Sequence, residues 1–266
     1  MEVNENTARV RIYALGGLEI QAGWILRYRR RIRNLASREL LMGLIAAGIR
    51  GLGASMLCEA LWPESSGGEA FHALVATVHR LRRNLRCHAA IALEGGRVKL
   101  QAACCWIDAW AFEQRAVQAR AAGDALPAAE LQRALEMYRG PLFGESSSLL
   151  ALDARERFGQ LYARAALTAG ERLLRGGDAA GAIALYERCV GIEDAREELY
   201  RALILAQRRL GQSAAAAQTY ERCRASLQHR FGMAPSRATE RARNESCPPQ
   251  TGPGEGGDAL AFSPTP

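Results

Sequence analysis

Between Glu69 and Arg86 the chain spaces apolar and basic residues as a helix would, and the two faces carry different chemistry. At about 100° per residue, Phe71, Leu74, Val78, Leu81 and Leu85 fall on one side and His72, Ala76, His79, Arg80 and Arg83 on the other. Arginine is a planar fork of donors that matches guanine O6 and N7 in a DNA major groove, and small residues allow close approach to base edges. A solvated basic face on a core helix has the same composition, so the neighbouring residues carry the decision. Upstream, LRYRRRIR places Arg27, Arg29, Arg30, Arg31 and Arg33 within seven positions, a density that suits phosphate contacts. Downstream, GGRVKL places Arg97 and Lys99 on a strand pair.

These residues need particular elements to position them. Residues 9 to 28 alternate apolar and polar and break at Gly16-Gly17 and Ala22-Gly23, the pattern of short antiparallel strands. From Ser37, a candidate N-cap, Leu40, Leu41, Leu44, Ile45 and Ile49 recur at helical spacing until Gly48 and Gly51. A second helix spans 55 to 62 and stops at Pro63; the third starts near Glu69, after the loop ESSGG. IALEGGRVKL then makes a hairpin around Gly95-Gly96. Strand, three helices and hairpin are the order of a winged helix-turn-helix, an α+β unit over residues 9 to 103.

After Trp106 the chain reads as helix, so the fold class is mostly α, with an all-α tetratricopeptide-like repeat domain over 106 to 240. GGDAAGAIALYERC at 176 to 189 aligns with LGQSAAAAQTYERC at 210 to 223, pairing Gly177 with Gly211, Ala182 with Ala216, Tyr186 with Tyr220 and Cys189 with Cys223. The offset of 34 residues is the tetratricopeptide period. GDALPAAELQRALEMYR at 123 to 139 is a looser third copy, set off by the insertion GPLFGESSS. Residues 244 to 266, with nine Pro or Gly, are expected to be disordered.

Composition narrows the function. Of 266 residues, 34 are Arg and only Lys99 is Lys, with no glycine spacing before it, which excludes a phosphate-binding loop of the G-x-x-x-x-G-K type. The formal charge of +7 lies wholly in the first 100 residues, which hold 15 basic and 8 acidic side chains against 20 and 20 in the rest. No apolar stretch suits a membrane span and MEVNENTARV is unlike a signal peptide, so a cytoplasmic chain with no membrane contact is expected. Seven cysteines, without C-x-x-C, read as reduced and mostly buried thiols. His72 and His79 have no third ligand near them on their helix, and His88 beside Cys87 is as weak a candidate, so no metal is expected. Asp108 reads as an N-cap, and Trp62, Trp106 and Trp110 as packing residues. No catalytic motif is present, and neither an enzyme nor a cofactor is expected.

The chain resembles the SARP-type transcriptional activators, which join a winged helix to a bacterial transcriptional activation domain. The matching stretches are RIYALGGLEI, SRELLMGLIA, EALWP and VHRLRRNL, then CWIDAWAFEQ, ALEMYRGPLF and YERCRASLQHRFGMAPS, in that order over residues 9 to 240. The resemblance implies a sequence-specific activator that binds promoter repeats in double-stranded DNA and contacts RNA polymerase subunits. His72, Ala76, His79, Arg80 and Arg83 would then face the groove, and Arg97 and Lys99 would lie in the wing. The wing ends in GGRVKL where response-regulator winged helices commonly end in glycine and an aromatic residue. With no acidic receiver domain in the sequence, control by aspartyl phosphorylation is not expected. A homodimer through the repeats is a further expectation. Two other readings stay open: a helical-repeat adaptor whose basic domain binds an acidic protein, and a ligand-sensing regulator with a pocket between repeats and winged helix. If the LRYRRRIR cluster contacts phosphates, Arg30→Ala will weaken binding to every DNA sequence and flatten its salt dependence; a salt titration with an unchanged slope would remove the cluster from the interface.

Overall fold

The computed structural model describes residues 5, 7–22, 29–30, 32–121 and 128–244, with the backbone alone for 29–30 and 128–129. The N-terminal half opens with strands β1 (Val10–Tyr13), β2 (Glu19–Ala22) and β3 (Arg29–Arg30). Val10, Ile12, Ile20 and Ala22 are the inward residues of the period-2 pattern and are buried. A fourth strand, separated from these by most of the winged helix, completes the sheet.

The first helix, α1 (Leu35–Ala47), is capped by Asn34 and not by Ser37. Ser37 sits inside the first turn and donates both its N–H and its hydroxyl to Asn34 Oδ1, each at 2.9 Å. Leu40, Leu41, Leu44 and Ile45 are buried as expected, but Ile49 is 71% exposed. The helix has already ended at Gly48, whose φ of +70° turns the chain into a one-turn 3-10 segment, Gly48–Arg50. Helices α2 (Ala54–Leu61) and α3 (Gly67–Asn84) follow, and β4 (Leu52–Gly53), β5 (Ile91–Glu94) and β6 (Arg97–Leu100) form a second sheet in the order β4-β6-β5. The Gly95-Gly96 turn has φ of +56° and +70°, a conformation available to glycine at little cost.

At the border of the two halves lies a strand that the sequence reading does not include: β7 (Cys105–Ile107) runs parallel to β1, giving the sheet order β3-β2-β1-β7. Three residues are too short for a periodicity signal, and their partner lies some 95 residues upstream. Then come α4 (Asp108–Ala121), α5 (Ala128–Met137), α6 (Leu152–Arg175), α7 (Ala179–Ile192), α8 (Glu197–Arg209), α9 (Ser213–Phe231) and α10 (Arg237–Asn244), successive helices packing together and α10 returning onto α8. The paired positions of the 34-residue repeat are buried at Ala182, Ala216, Tyr186, Tyr220, Cys189 and Cys223. Gly170 on α6 lies against the Tyr186 ring with no room for a methyl group. In the looser copy Ala134 and Tyr138 are buried, and Tyr138 stacks on Tyr162 with ring centroids 4.2 Å apart. Asn244 ends α10, and the rest of the tail expected to be disordered lies outside the described residues.

The insertion GPLFGESSS is a joint between the halves. Phe143 N–H donates to Ala14 O at 2.7 Å, Gly16 N–H to Pro141 O at 3.0 Å, and Leu15 bridges Leu142. Beside it, Asp108 is not the N-cap its position suggests but the first residue of α4, and its carboxylate is turned mostly to the other half of the chain. Its carboxylate accepts the N–H groups of Ala14 at 2.7 Å and Leu15 at 3.2 Å as well as that of Ala109, with Arg139 at 3.8 Å. Trp110 Nε1 donates to Ile45 O at 2.9 Å, and one hydrophobic core runs from Val10 to Leu227. Burial raises the Asp108 pKa to about 6, against the hydrogen bonds and the Arg139 charge that lower it. Asp108→Asn will lower stability by about 1–3 kcal/mol at mildly acid pH, since an amide nitrogen cannot accept an N–H. A group whose pKa is raised on folding gives its full stability below the unfolded value and loses it as pH rises through the folded one. Denaturant titrations should therefore show the deficit of the Asp108→Asn variant narrowing from pH 4 to pH 8; a deficit that widens would reverse the sign of the shift.

Candidate nucleic-acid interface

The third helix begins two residues earlier than its apolar pattern suggests. Ser66 caps it and Glu69 closes a capping box, with Ser66 Oγ accepting from Glu69 N–H and the Glu69 carboxylate accepting from Ser66 N–H at 3.2 Å. The S-x-x-E spacing is the signal for this start, and it brings Gly67 and Gly68 into the first turn. The buried side of α3 is Ala70, Leu74, Thr77, Val78 and Leu81. That arc swings round to include Thr77, which leaves Phe71 at its rim and 45% exposed, a correction to its expected place in the core.

His72, Ala76, His79, Arg80 and Arg83 are all exposed on one continuous face of α3. The side chains of Arg80 and Arg83 form no hydrogen bond or ion pair with any described residue. Two further exposed residues follow the C-terminal end of the helix. Arg86 is exposed in the left-handed conformation, with φ of +49°, and the His88 ring lies 6.1 Å from that of His79. Sequence spacing does not connect His88 to the helix, because the turn after Leu85 folds it back. Arg82, next to Arg83, plays a different part. Its Nε and Nη2 donate to Ile91 O at 3.1 and 2.9 Å and fix the start of the hairpin to α3.

In the hairpin, Arg97 is exposed but anchored, donating through Nε to Arg50 O at 3.2 Å and through Nη2 to Gly51 O at 2.9 Å. Lys99 is half-buried, its stem against Gly51. Gly51 has a φ of +60° and faces Val98 O so closely that a Cβ would overlap it. The Arg97 guanidinium therefore sets the wing against the turn after α1, with donors left over for a ligand. Arg33 is exposed just before the Asn34 cap. Arg29 and Arg30 lie in β3 at the sheet edge, but their side chains, and Arg27 and Arg31 altogether, lie outside the described residues.

No group of three or more His, Cys, Asp or Glu close enough to hold a metal ion is found among the described residues. Five described cysteines are buried and Cys104 is half-buried, all as free thiols. No helix among the described residues is long and apolar enough to cross a membrane.

A winged helix with a basic third helix, joined through a shared sheet to a tetratricopeptide-like helical domain, has the architecture of a SARP-type regulator. Residues 107–245 match the bacterial transcriptional activator domain, and the chain belongs to that family. Among solved structures it is similar to Mycobacterium tuberculosis EmbR in complex with a low-affinity phosphopeptide. The TM-score is 0.62 at 22% identity, over 89% of this chain and 64% of the EmbR chain, so the likeness leaves about a third of the EmbR chain unmatched. No curated protein matches the chain in sequence.

The neighbours Arg82 and Arg83 separate structure from contact. Arg82→Ala will cost about 1–3 kcal/mol by leaving the buried Ile91 carbonyl unpaired, whereas Arg83→Ala, exposed and unpaired, will stay within about 0.5 kcal/mol of wild type. Thermal or denaturant unfolding of the two variants checks this, and equal losses would mean that Arg83 also holds the fold.

Proposed function

We infer that this chain is a sequence-specific DNA-binding transcription regulator, with residues 9 to 103 as the DNA-binding unit and the helical domain of residues 106 to 240 as the part that meets RNA polymerase. The exposed face of α3 carries the reading. The helical domain shows what arginines do when their role is internal: Arg157 pairs with Glu113, Arg196 with Glu156, Arg222 with Glu187 and Arg230 with Asp194. Arg80 and Arg83 have no such acid among the described residues. Set in a major groove, their guanidinium forks can take guanine edges, while Ala76 leaves space for bases and His72 and His79 offer ring nitrogens.

Arg33 and the arginines of β3 supply phosphate contacts in this reading, and Arg97 and Lys99 bring the wing to the backbone or minor groove beside the helix. Affinity then comes chiefly from counterion release and specificity from α3. On promoters with repeated sites, neighbouring copies would meet through their helical domains and present one surface to the polymerase.

Selection of bound fragments from genomic DNA, followed by titration of the preferred site, tests the reading. Arg83→Ala will lower specific binding by about 1–3 kcal/mol and relax the base preference at one position. Equal losses on all sequences would make Arg83 a phosphate contact, and no enrichment of any DNA would return the basic face to an acidic protein partner.

A further inference from the structure

A cleft of about 890 Å³ opens between the two halves, on the side of α4 where the turn after α1 comes close to β7. Gly48, Ile49 and Arg50 line it from the winged helix, and Trp106, Trp110 and Arg115 from β7 and α4. We propose that it is a binding site for a small planar aromatic anion, and that occupancy is transmitted to the wing.

The volume is in the range of small-molecule sites, and the lining sets two indoles and an aliphatic side chain among charged and amide groups, a more polar wall than most such sites have. Both indoles are held in place before any ligand arrives. Trp110 is tied by its N–H to Ile45 O at 2.9 Å, and Trp106 packs edge-on against Tyr13 with centroids 5.5 Å apart. Ile49, 71% exposed, adds an open apolar side chain that a flat ring would cover.

The charges point to an anion. Arg157 and Glu113, also in the lining, are paired with each other at 3.0 Å and cancel. Glu5 at the rim accepts the Tyr13 hydroxyl at 2.8 Å. Arg50 and Arg115 are exposed, and Arg115 has only the weak acceptor Met137 Sδ as a described partner. Two guanidinium groups against one engaged carboxylate leave net positive charge beside the aromatic walls. A carboxylate or sulfonate on an aromatic ring matches both features.

The turn that contributes Arg50 to the cleft is also the anchor of the wing. Arg50 and Gly51 present their carbonyls to Arg97, so a ligand held by the Arg50 side chain acts on the turn that positions the hairpin. This second half rests on the DNA-binding reading, and the first does not.

Anilinonaphthalene sulfonate, titrated into the full chain with its fluorescence as readout, is the probe. One saturable site is expected, displaced by salicylate, unchanged in Arg224→Gln on α9, and weakened about tenfold or more when Arg50→Gln and Arg115→Gln are combined. Both positions are exposed, so the pair should fold, which a melting curve checks. An unsaturable signal, equal binding by the double variant, or displacement by inorganic phosphate as effective as by salicylate overturns the site. With the probe bound, affinity for the selected DNA should shift in the wild type and not in Arg97→Lys, which keeps the charge but lacks the planar fork whose two nitrogens reach the Arg50 and Gly51 carbonyls. An unmoved affinity overturns the coupling. A chain that binds the probe and no DNA sinks the functional reading and leaves the cleft standing; one that binds DNA and not the probe does the reverse.

Discussion

A buried carboxylate collects three backbone N–H groups where the two halves of the chain meet, and the placement of nearly everything else follows from that contact. Asp108 is 2% exposed. It opens α4, yet two of its hydrogen bonds go to Ala14 and Leu15 at the end of β1, more than 90 residues earlier. Burying a charge is expensive unless polar partners surround it, and the raised pKa shows that burial still outweighs them here. What this arrangement provides is orientation. With β7 paired to β1 on one side and Phe143 bonded to Ala14 on the other, the helical domain is held to the sheet of the winged helix by backbone contacts in more than one place. The two halves thus share one sheet and one core rather than meeting at a linker.

The arginines of both halves divide by what their side chains meet, some holding acids and carbonyls and others open to solvent. In the helical domain many are engaged by acids and carbonyls, as with Arg196 against Glu156 and Arg155, whose guanidinium reaches Leu142 O and Ser146 O, while others such as Arg120 and Arg164 are exposed. In the winged helix, Arg82 and Arg97 also hold backbone carbonyls and shape the hairpin, while Arg80 and Arg83 remain exposed on α3. One residue type thus builds the frame of the interface and covers its surface. Adjacent positions on the same helix are separated only by which way the side chain turns, since about 100° of rotation takes Arg82 onto a carbonyl and Arg83 into solvent.

Much of this was legible in the residues. Strong local signals, such as the glycine pair of the hairpin, the apolar period of α1 and the 34-residue repeat with its buried Tyr186 and Tyr220, correspond to elements of the fold. So does the exposed face of α3, because amphipathic spacing reports burial directly. The misplacements are at borders. Ser37 yielded the cap to Asn34, Phe71 fell just outside the buried arc, and Ile49 was turned out by the glycine before it. Each depends on a few tens of degrees of backbone rotation, finer than a spacing pattern can resolve.

By itself, then, the sequence determined the order of the helices and the hairpin, the repeat and the basic face, since all of these follow from period, turn chemistry and charge within short windows. Tertiary structure decided that β7 joins the first sheet, that an apparent insertion and Asp108 form the joint between the halves, that His88 returns to His79, and that Arg50 and Trp106 face one cleft. Most of these contacts link residues tens of positions apart or more. Their energy comes from groups brought together only when the whole core closes, so no local window holds the information.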